Sequence, residues 1–308
     1  MTAASGEYVL RGNPHYPGQF AAERYYSGLL VRAGVPAPWP YRIDPGADLF
    51  GWSYALMPRM PGIQPDDPDV RAGLTADDRA GIARALGTAL AAIHAVTAPA
   101  PGRYHPAADA VVPLEPPDAS VWALPAPRPA GPGPGGPYAR WVADRVLARL
   151  AQAAGHAPAA TTAADRAWTA GLLAENEAAT SVPFTPSLVV EDYKEGNTVV
   201  ARDGGTWRVS GVFDLAQCYF GDGEADLPRT LCSYLDEDPG LARAFLAAYL
   251  DARPPRPGFS ARAATHLLVD RAMLWEFFQR NRLRWWPEDW TFRDWAGRYL
   301  DLLAPLLP

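Results

Sequence analysis

Three oxygen-bearing side chains stand close together in the sequence, around stretches of β-type residues. Asp192 ends a short apolar run, Asn197 follows five residues later, and Asp214 ends the second of two further β-rich runs. Carboxylate and amide oxygens are hard ligands that suit Mg²⁺, which completes its coordination with water and phosphate oxygens. We therefore predict phosphoryl transfer, with Asp192 as the base and Asn197 and Asp214 as the metal ligands.

The elements around these residues are predicted to bring them together. Residues 188–190 form a short apolar strand, and residues 198–214 have the pattern of a β-hairpin with the turn Asp203-Gly204-Gly205. Because a hairpin returns its second strand beside its first, we expect Asp214 next to the loop 192–197. Taken alone, an Asp and an Asn at this spacing can equally satisfy the backbone of a turn.

The bulk composition limits the classes of function. The 308 residues are 48% hydrophobic, with a formal net charge of -6 and a pI near 5.4, so neither nucleic acid nor an acidic membrane is expected as the main partner. The two cysteines form no metal-ligand or disulfide pattern. No basic signal segment opens the chain, and no apolar run approaches the length that crosses a bilayer. We expect a cytoplasmic protein, whose oligomeric state is open.

The remaining patterns predict a small strand-containing domain at residues 1–62 and a larger, mostly helical domain at residues 63–308. In the small domain, EYVLR is a strand, residues 20–33 have helical spacing, and YALMP is a strand before a Pro-Gly turn. We expect a cleft between this small strand-containing domain and the larger helical domain.

The larger domain is predicted to begin with a helix that Thr75 caps, with Asp78 three residues further on. From residue 97 to residue 137 the Pro- and Gly-rich composition predicts a mobile surface excursion that packs no regular core. Helical patterns return at 138–154 and 163–178, and the chain after Asp226 is predicted to be helical to its end.

Together these motifs resemble those of the aminoglycoside phosphotransferase and choline kinase family. The family loop usually reads His-Gly-Asp-Leu-His-x-Gly-Asn, and residues 190–197 read Val-Glu-Asp-Tyr-Lys-Glu-Gly-Asn. The family's metal-binding segment is similar to residues 211–215, Gly-Val-Phe-Asp-Leu, and the run after it is similar to residues 221–227. LGTALAAIHAV and YALMPRMPG also resemble family segments, so the likeness extends from about residue 8 to at least residue 235.

The resemblance implies an α+β, protein-kinase-like two-lobe fold, with a short β-containing N-terminal lobe and a larger helical C-terminal lobe. It implies transfer of the γ-phosphate of ATP or GTP, with Mg²⁺, to a hydroxyl of a small molecule. The expected acceptor is an aminoglycoside-like or other amine-bearing compound, which would connect the protein with antibiotic resistance. Asp226 is implied to be a structural acid near the active site.

The resemblance also implies how the nucleotide is held. Kinase-like enzymes anchor nucleotide phosphates with a basic residue on a strand, oriented by an acid on the next helix, and the candidates are Arg11 and Glu23. The nucleotide is expected to meet the hinge backbone near Leu56, Met57 and Pro58. From the residues alone, Arg11 could equally be a surface residue and Glu23 a helix-face residue.

The acceptor site is implied to lie among the C-terminal helices. There Glu276, Asp289 and Trp290 offer two acids and an aromatic face, which suit a cationic substrate. The tryptophans of this region also fall at partly helical spacing, which is typical of a buried core.

Some departures from the family pattern keep a second function open. Both loop histidines are replaced, the first by Val190, and Arg11 cannot place a compact charge as a lysine does. Only seven residues precede YVLR, too few for a hairpin that covers the nucleotide phosphates. These features fit a catalytically inactive, kinase-like binding or regulatory protein. A protein-directed kinase is less favoured, because no recognisable activation segment follows Asp214.

Overall fold

The predicted strands and helices can be compared with a computed structural model, which describes residues 2–3, 6–12, 14–15, 18–46, 48–114 and 136–308. The strands are β1 (Thr2–Ala3), β2 (Gly6–Gly12), β3 (Arg42–Asp44), β4 (Tyr54–Pro58), β5 (Gly102–His105), β6 (Ala110–Pro113), β7 (Ser187–Val189), β8 (Thr198–Asp203), β9 (Thr206–Val212) and β10 (Tyr219–Gly221). The helices are α1 (Gln19–Arg32), α2 (Pro68–Ala72), α3 (Ala76–Ile93), α4 (Pro137–His156), α5 (Ala163–Glu175), α6 (Glu177–Thr180), α7 (Leu227–Leu235), α8 (Pro239–Ala252), α9 (Phe259–Asn281) and α10 (Phe292–Leu303). Short 3₁₀ turns cover Glu195–Asn197, Leu215–Gln217, Gly223–Asp226 and Ala304–Leu306.

The chain divides into two compact units. The first consists of Met1–Pro113, Thr185–Asp226 and Asp236–Pro254. The second consists of Leu114–Phe184, Leu227–Leu235 and Pro255–Pro308. The candidate base, metal ligands and nucleotide-binding residues all belong to the first unit, so its elements are the ones that position the site.

The first unit begins with an antiparallel sheet of strand order β1-β2-β4-β3. Along β4, Ala55 and Met57 are buried and alternate with half-buried residues, which is the period of a strand with one covered face. Phe20 at the start of α1 packs with Ala55, Met57 and Tyr41 in one apolar cluster. This packing sets α1 against the sheet, so that side chains of β2 and α1 can meet.

Helix α3 supports the rest of the first unit by packing against α8 and β9. It begins with the predicted capping box of Thr75 and Asp78. Where α8 crosses it, a Cβ atom on Gly87 would lie 2.2 Å from the carbonyl oxygen of Phe245. Only glycine allows the two helix backbones to approach this closely.

The loop 192–197 and Asp214 follow strands of a second sheet and of a separate hairpin. The sheet has the strand order β6-β5-β10-β7, and β8 pairs with β9 alone. In the sheet Val189 lies opposite Tyr219, and Gly102 lies opposite Phe220. The hairpin pairs Asp203 with Thr206 across the two predicted turn glycines, which both have positive φ. The predicted hairpin is confirmed.

The prediction that residues 97–137 pack no regular core is wrong for residues 102–113. These residues form the β5–β6 pair, and β5 joins the second sheet through β10. Each strand is only four residues long and is flanked by Pro- and Gly-rich sequence, so local composition hides it. Its partner β10 lies far along the chain, where a local pattern cannot reveal the pairing. Residues 115–135 of this stretch lie outside the described residues.

The second unit is helical, with α9 packed against α4, α7 and α10. Its centre is aromatic: Trp275, Trp286 and Trp295 are buried, and the rings of Trp275 and Trp295 lie 5.4 Å apart. The core prediction is confirmed for these three tryptophans, whereas Trp285 is 59% exposed. None of the helices within the described ranges combines the length and the hydropathy needed to cross a membrane.

Replacing Gly87 with alanine is expected to destabilise the protein, although alanine is the better helix former. The added methyl group meets the α8 backbone, which cannot yield without moving the helix, and overpacking of this kind costs about 1–3 kcal/mol. The free energy of unfolding in urea measures the effect.

The matched control is Gly171→Ala on α5, because nothing lies within 4 Å of a Cβ atom at that position. This control should leave the free energy of unfolding unchanged or raise it by up to about 1 kcal/mol. Equal effects of the two substitutions would contradict the close approach of α3 and α8.

Candidate active site

A buried carboxylate holds the backbone that leads from β7 into the loop 192–197. Asp226 is 0% exposed. Its oxygens accept the N–H groups of Val190 at 2.7 Å and of Glu191 at 2.6 Å. Glu191 has a φ of 77°, a left-handed conformation that costs a residue with a Cβ atom about 1 kcal/mol or more. The two hydrogen bonds therefore fix a strained turn directly before Asp192.

Asp226 is itself braced from α3 and α8. Its Oδ2 lies 3.0 Å from Nε2 of His94, and Nδ1 of His94 lies 3.0 Å from the hydroxyl of Tyr249. His94 is fully buried. Buried polar groups of this kind are stable only when every member has partners. The contacts of Asp226 are thus those of a structural acid beneath the loop.

Within the loop, Asp192 and Asn197 are in direct contact. Nδ2 of Asn197 donates to the carbonyl oxygen of Asp192 at 2.8 Å and to its Oδ2 at 2.9 Å. Because the amide nitrogen faces two acceptors, Oδ1 of Asn197 faces the other way, where a cation can use it. Nζ of Lys194 donates to the same Oδ2 of Asp192 at 2.8 Å. Two donors therefore fix the orientation of the candidate base.

The outer side of the loop packs against the segment that follows β4. Nε2 of Gln64 donates to the carbonyl oxygen of Gly196 at 2.8 Å. A Cβ atom on Gly196 would lie 2.3 Å from a carboxylate oxygen of Asp66, so a larger residue here would require the exposed Asp66 side chain to move. Arg71 pairs with the neighbouring Glu195 at 3.2 Å. These contacts attach the loop 192–197 to α2 and to the segment between β4 and α2.

Asp214 lies at the open end of the β8–β9 hairpin, beside Asn197. Thr198 pairs with Val212, and the next N–H, that of Phe213, donates to the carbonyl oxygen of Asn197 at 2.9 Å. Asp214 then turns the chain with φ 57° and ψ 51°, again in the left-handed region. Within the described part of the chain no donor bonds to its carboxylate. The hairpin thus brings together the three residues that the sequence had indicated.

The oxygen atoms at this end of the hairpin fit a magnesium ion. Asn197, through its Oδ1, and Asp214, through its carboxylate, are the residues that would hold it. Among the described residues no three His, Cys, Asp or Glu side chains form a metal-binding cluster, so an ion would complete its shell with water and ligand oxygens. Mg²⁺ is commonly bound in this way, by one or two protein oxygens together with water and substrate phosphates.

Arg11 of β2 and Glu23 of α1 form an ion pair. Nη1 of Arg11 donates to both carboxylate oxygens of Glu23 at 2.8 Å. Tyr41 and Gln19 donate to the same carboxylate at 2.6 and 3.0 Å. Burial raises the pKa of Glu23 above its usual value, opposed by the charge of Arg11, while the negative charge of Asp214 raises it slightly further. Arg11 therefore favours the charged form of Glu23, and Glu23 lies within electrostatic range of Asp214, the candidate metal ligand.

Leu56, Met57 and Pro58 lie on β4. Leu56 is paired on both sides, with β2 and with β3. It is the last residue of β4 that pairs with β3. Met57 and Pro58 are opposite β2 alone in the described sheet. Pro58 has no N–H and can offer only its carbonyl to a ligand. On the side where β3 pairs, the described sheet therefore leaves the β4 backbone open at Met57 and Pro58.

The three acceptor candidates fall into two environments of the second unit. Asp289 and Trp290 line a cavity of about 650 Å³, together with residues such as His156. Glu276 is 4% exposed and pairs with Arg149 at 3.3 Å and Arg280 at 3.0 Å. It is not among the described residues that line the cavity. The structure thus brings Asp289 and Trp290 together and engages Glu276 in an ion-pair network.

Lys194 is the residue of the loop that sequence reasoning passed over. It is the single lysine among the 28 basic residues of the chain, and it stands two positions after Asp192. That isolation was a signal available in the sequence. The sequence could not show where the Lys194 side chain points, because a lysine side chain has several rotatable bonds and takes its direction from the partners around it.

The chain matches the model of the phosphotransferase enzyme family, APH, over residues 1–264. It is similar to a crystal structure from Ralstonia eutropha JMP134, provisionally described as an aminoglycoside phosphotransferase, with 16% identity and a TM-score of 0.56 over 98% of this chain and 85% of that one.

Two further solved structures contain ligands. An aminoglycoside phosphotransferase of Streptomyces rimosus ATCC10970, in complex with ADP and streptomycin, has 15% identity and a TM-score of 0.50 over 87% of this chain and 88% of that one. The GDP and kanamycin complex of APH(2″)-IIIa has 16% identity and a TM-score of 0.51 over 97% of this chain and 86% of that one. Among curated proteins, none matches the chain.

The chain belongs to the phosphotransferase enzyme family, since the family model covers most of its length. Its fold is the α+β, protein-kinase-like two-lobe fold, which the solved structures share. The predicted family and fold class are confirmed. Because identity to the solved structures is low, this likeness carries the fold alone, and the chemistry has to be argued from the site.

Replacing Asp226 with asparagine is expected to lower the free energy of unfolding by about 1–3 kcal/mol. Asparagine keeps the shape of the side chain, but its NH₂ group replaces one of the two carboxylate oxygens, so the buried N–H of either Val190 or Glu191 loses its acceptor. Chemical denaturation measures the loss. Asp301→Asn, at an exposed position of α10, is the control and should stay within about 0.5 kcal/mol of the parent. Parental stability of the Asp226 variant would contradict the bracing role.

Proposed function

We propose that the chain transfers the γ-phosphate of ATP or GTP to a hydroxyl of a small molecule. The observation that carries the proposal is the contact of Asp192 with Asn197, next to the Phe213–Asn197 backbone bond that holds Asp214 nearby. Family membership supports phosphoryl transfer. The ADP and streptomycin complex and the GDP and kanamycin complex of the similar proteins support a nucleotide donor and an aminoglycoside-like acceptor.

Asp192 is proposed as the base. The acceptor oxygen forms its bond to the γ-phosphorus while the bond from that phosphorus to the β–γ bridging oxygen breaks, and the nucleoside diphosphate leaves. The carboxylate of Asp192 takes the proton of the acceptor hydroxyl. Asn197 and Lys194 hold Oδ2 of this carboxylate, so that it is already oriented before the acceptor arrives.

The charge of the nucleotide phosphates is proposed to be met by Arg11 and by the metal site. Arg11 is 34% exposed and is held on one side by Glu23, which leaves further guanidinium N–H groups for phosphate oxygens. Asn197 and Asp214 would hold Mg²⁺, which when bound supplies positive charge to the phosphate oxygens. The hinge backbone at Leu56, Met57 and Pro58 is proposed to meet the nucleotide base.

For the acceptor we propose the cavity that Asp289 and Trp290 line, because a carboxylate and an aromatic face both attract an amine cation. Glu276 is proposed to stabilise the helices around that cavity through Arg149 and Arg280. Residues 1–62 and 63–308 are proposed as the two lobes. A cytoplasmic location and a part in antibiotic resistance belong to the same proposal.

Replacing Asp192 with alanine is expected to reduce phosphoryl transfer by a factor of about 10² to 10⁴, because the transfer loses its general base. Nucleotide affinity should stay within about twofold, because Arg11, the hinge and the metal ligands are retained. ADP or GDP release with a panel of hydroxylated amines measures transfer, and thermal shift with Mg²⁺ and nucleotide measures affinity.

Asp203→Asn at the exposed hairpin tip is the control and should keep the parental rate. Unaltered turnover in the Asp192 variant would remove the assignment of the base. A parent protein that binds nucleotide but transfers phosphate to no acceptor would favour the inactive binding or regulatory protein.

Replacing Asp214 with asparagine is expected to raise the Mg²⁺ concentration needed for half-maximal transfer by about tenfold or more, since the cation loses a charged oxygen ligand. The Mg²⁺ dependence of the nucleotide-induced thermal shift should move in the same direction. Asp203→Asn again serves as the control. An unchanged Mg²⁺ dependence in both measurements would exclude Asp214 as a ligand.

A further inference from the structure

One side chain of β5 contacts both loops that carry the candidate catalytic residues. Nη2 of Arg103 lies 3.5 Å from Oε2 of Glu191 and donates to the carbonyl oxygen of Gln217 at 3.2 Å. Glu191 directly precedes Asp192, and Gln217 ends the 3₁₀ turn that begins after Asp214. The guanidinium group therefore bridges the loop of the base and the loop of the metal ligand.

Both loops pass through a left-handed backbone conformation beside the bridge. Glu191 has a φ of 77° and Asp214 a φ of 57°. Residues with a Cβ atom keep such a conformation only where surrounding contacts hold it, and these outliers concentrate at functional sites. The backbone of Glu191 is held by Asp226, and its side chain by Arg103. Arg103 thus contributes to the geometry from which Asp192 projects.

The position of Arg103 is itself well defined. Its strand is paired on both sides, with β6 and with β10. Its guanidinium carbon lies 5.8 Å from the ring centre of Tyr219, and the neighbouring Tyr104 N–H donates to the hydroxyl of Tyr26 on α1 at 2.8 Å. The two N–H groups of Nη2 lie in the fixed plane of the guanidinium, whereas the ammonium of a lysine has no such plane to set the directions of its donors.

We propose that Arg103 is a positioning residue for phosphoryl transfer, which sets the separation of the Asp192 loop and the Asp214 loop without touching the substrate. The inference rests on the proposed function, because it takes these loops to hold the base and the metal ligand. It also assigns a role to the β5–β6 hairpin, which lies in the Pro- and Gly-rich stretch that the sequence left without one.

The test begins with Arg103→Met, which keeps the apolar stem beside Tyr219 and removes the donors. The kcat for transfer should fall by about tenfold or more, because a displacement of about 1 Å at reacting groups can cost about 10²-fold. The KM for nucleotide should change by less than about twofold, because the Arg11–Glu23 pair is untouched. Arg103→Lys should recover only part of the rate.

Hydrogen–deuterium exchange of the full chain measures how firmly the two loops are held, and it does not require the protein to be active. In Arg103→Met, amides of residues 190–197 and 213–218 should exchange faster than in the parent, while the rest of the chain stays unchanged. His105→Ala is the matched control, because His105 is exposed on the same strand, and it should behave as the parent in both measurements.

A double substitution isolates the contact with Glu191. Glycine adopts a φ of 77° without strain, so Arg103→Met should reduce kcat less in a Glu191→Gly background than in the parent. Equal losses in both backgrounds would overturn this part of the inference, as would unchanged exchange in either loop or a uniform rise along the chain. If the parent transfers phosphate to no acceptor, the proposed function fails, and the exchange measurement still decides whether Arg103 positions the loops.

Discussion

The site depends on one buried carboxylate that accepts two consecutive backbone N–H groups. Asp226 fixes the chain at Val190 and Glu191, and through them the direction in which Asp192 leaves the sheet. Charge-assisted hydrogen bonds are strong in a dry interior, and an unmatched donor there is costly. The geometry of the loop is therefore tied to the folding of α3 and α8, because His94 directly follows α3, Tyr249 lies on α8, and both stand behind the carboxylate.

A second buried carboxylate, that of Glu23, determines where the positive charge of Arg11 lies. Glu23 is nearly inaccessible, and burial raises its pKa, while the charge of Arg11 opposes that rise. An arginine suits this position because it can engage one carboxylate and still present further N–H groups. The compact charge of the only lysine lies instead at Asp192, where a single short contact is made.

The fold is shared with solved structures of low sequence identity, whereas the chemistry is local. Solved structures with about one identical residue in six share the architecture of this chain. The family loop has two histidines where this chain has Val190 and Lys194. The structure supports the loop through other contacts: Asp226 and Arg103 on the side of Glu191, and Gln64 on the side of Gly196. A shared scaffold can keep one arrangement of reacting groups with different supporting residues.

The sequence by itself determined the parts of the site that lie within one tight turn of each other. A five-residue loop brings Asn197 back to Asp192, and a hairpin with two turn glycines brings Asp214 back beside Asn197. That Arg11 and Glu23 would meet was implied by the family resemblance, because from the residues alone both could have been ordinary surface and helix-face residues. The bonds of Asp226 to the loop backbone, the joining of β5 to β10 and the bridge made by Arg103 were decided only by the tertiary structure. Local periodicity records which face of an element is buried, whereas contacts between distant segments depend on how those faces pack together.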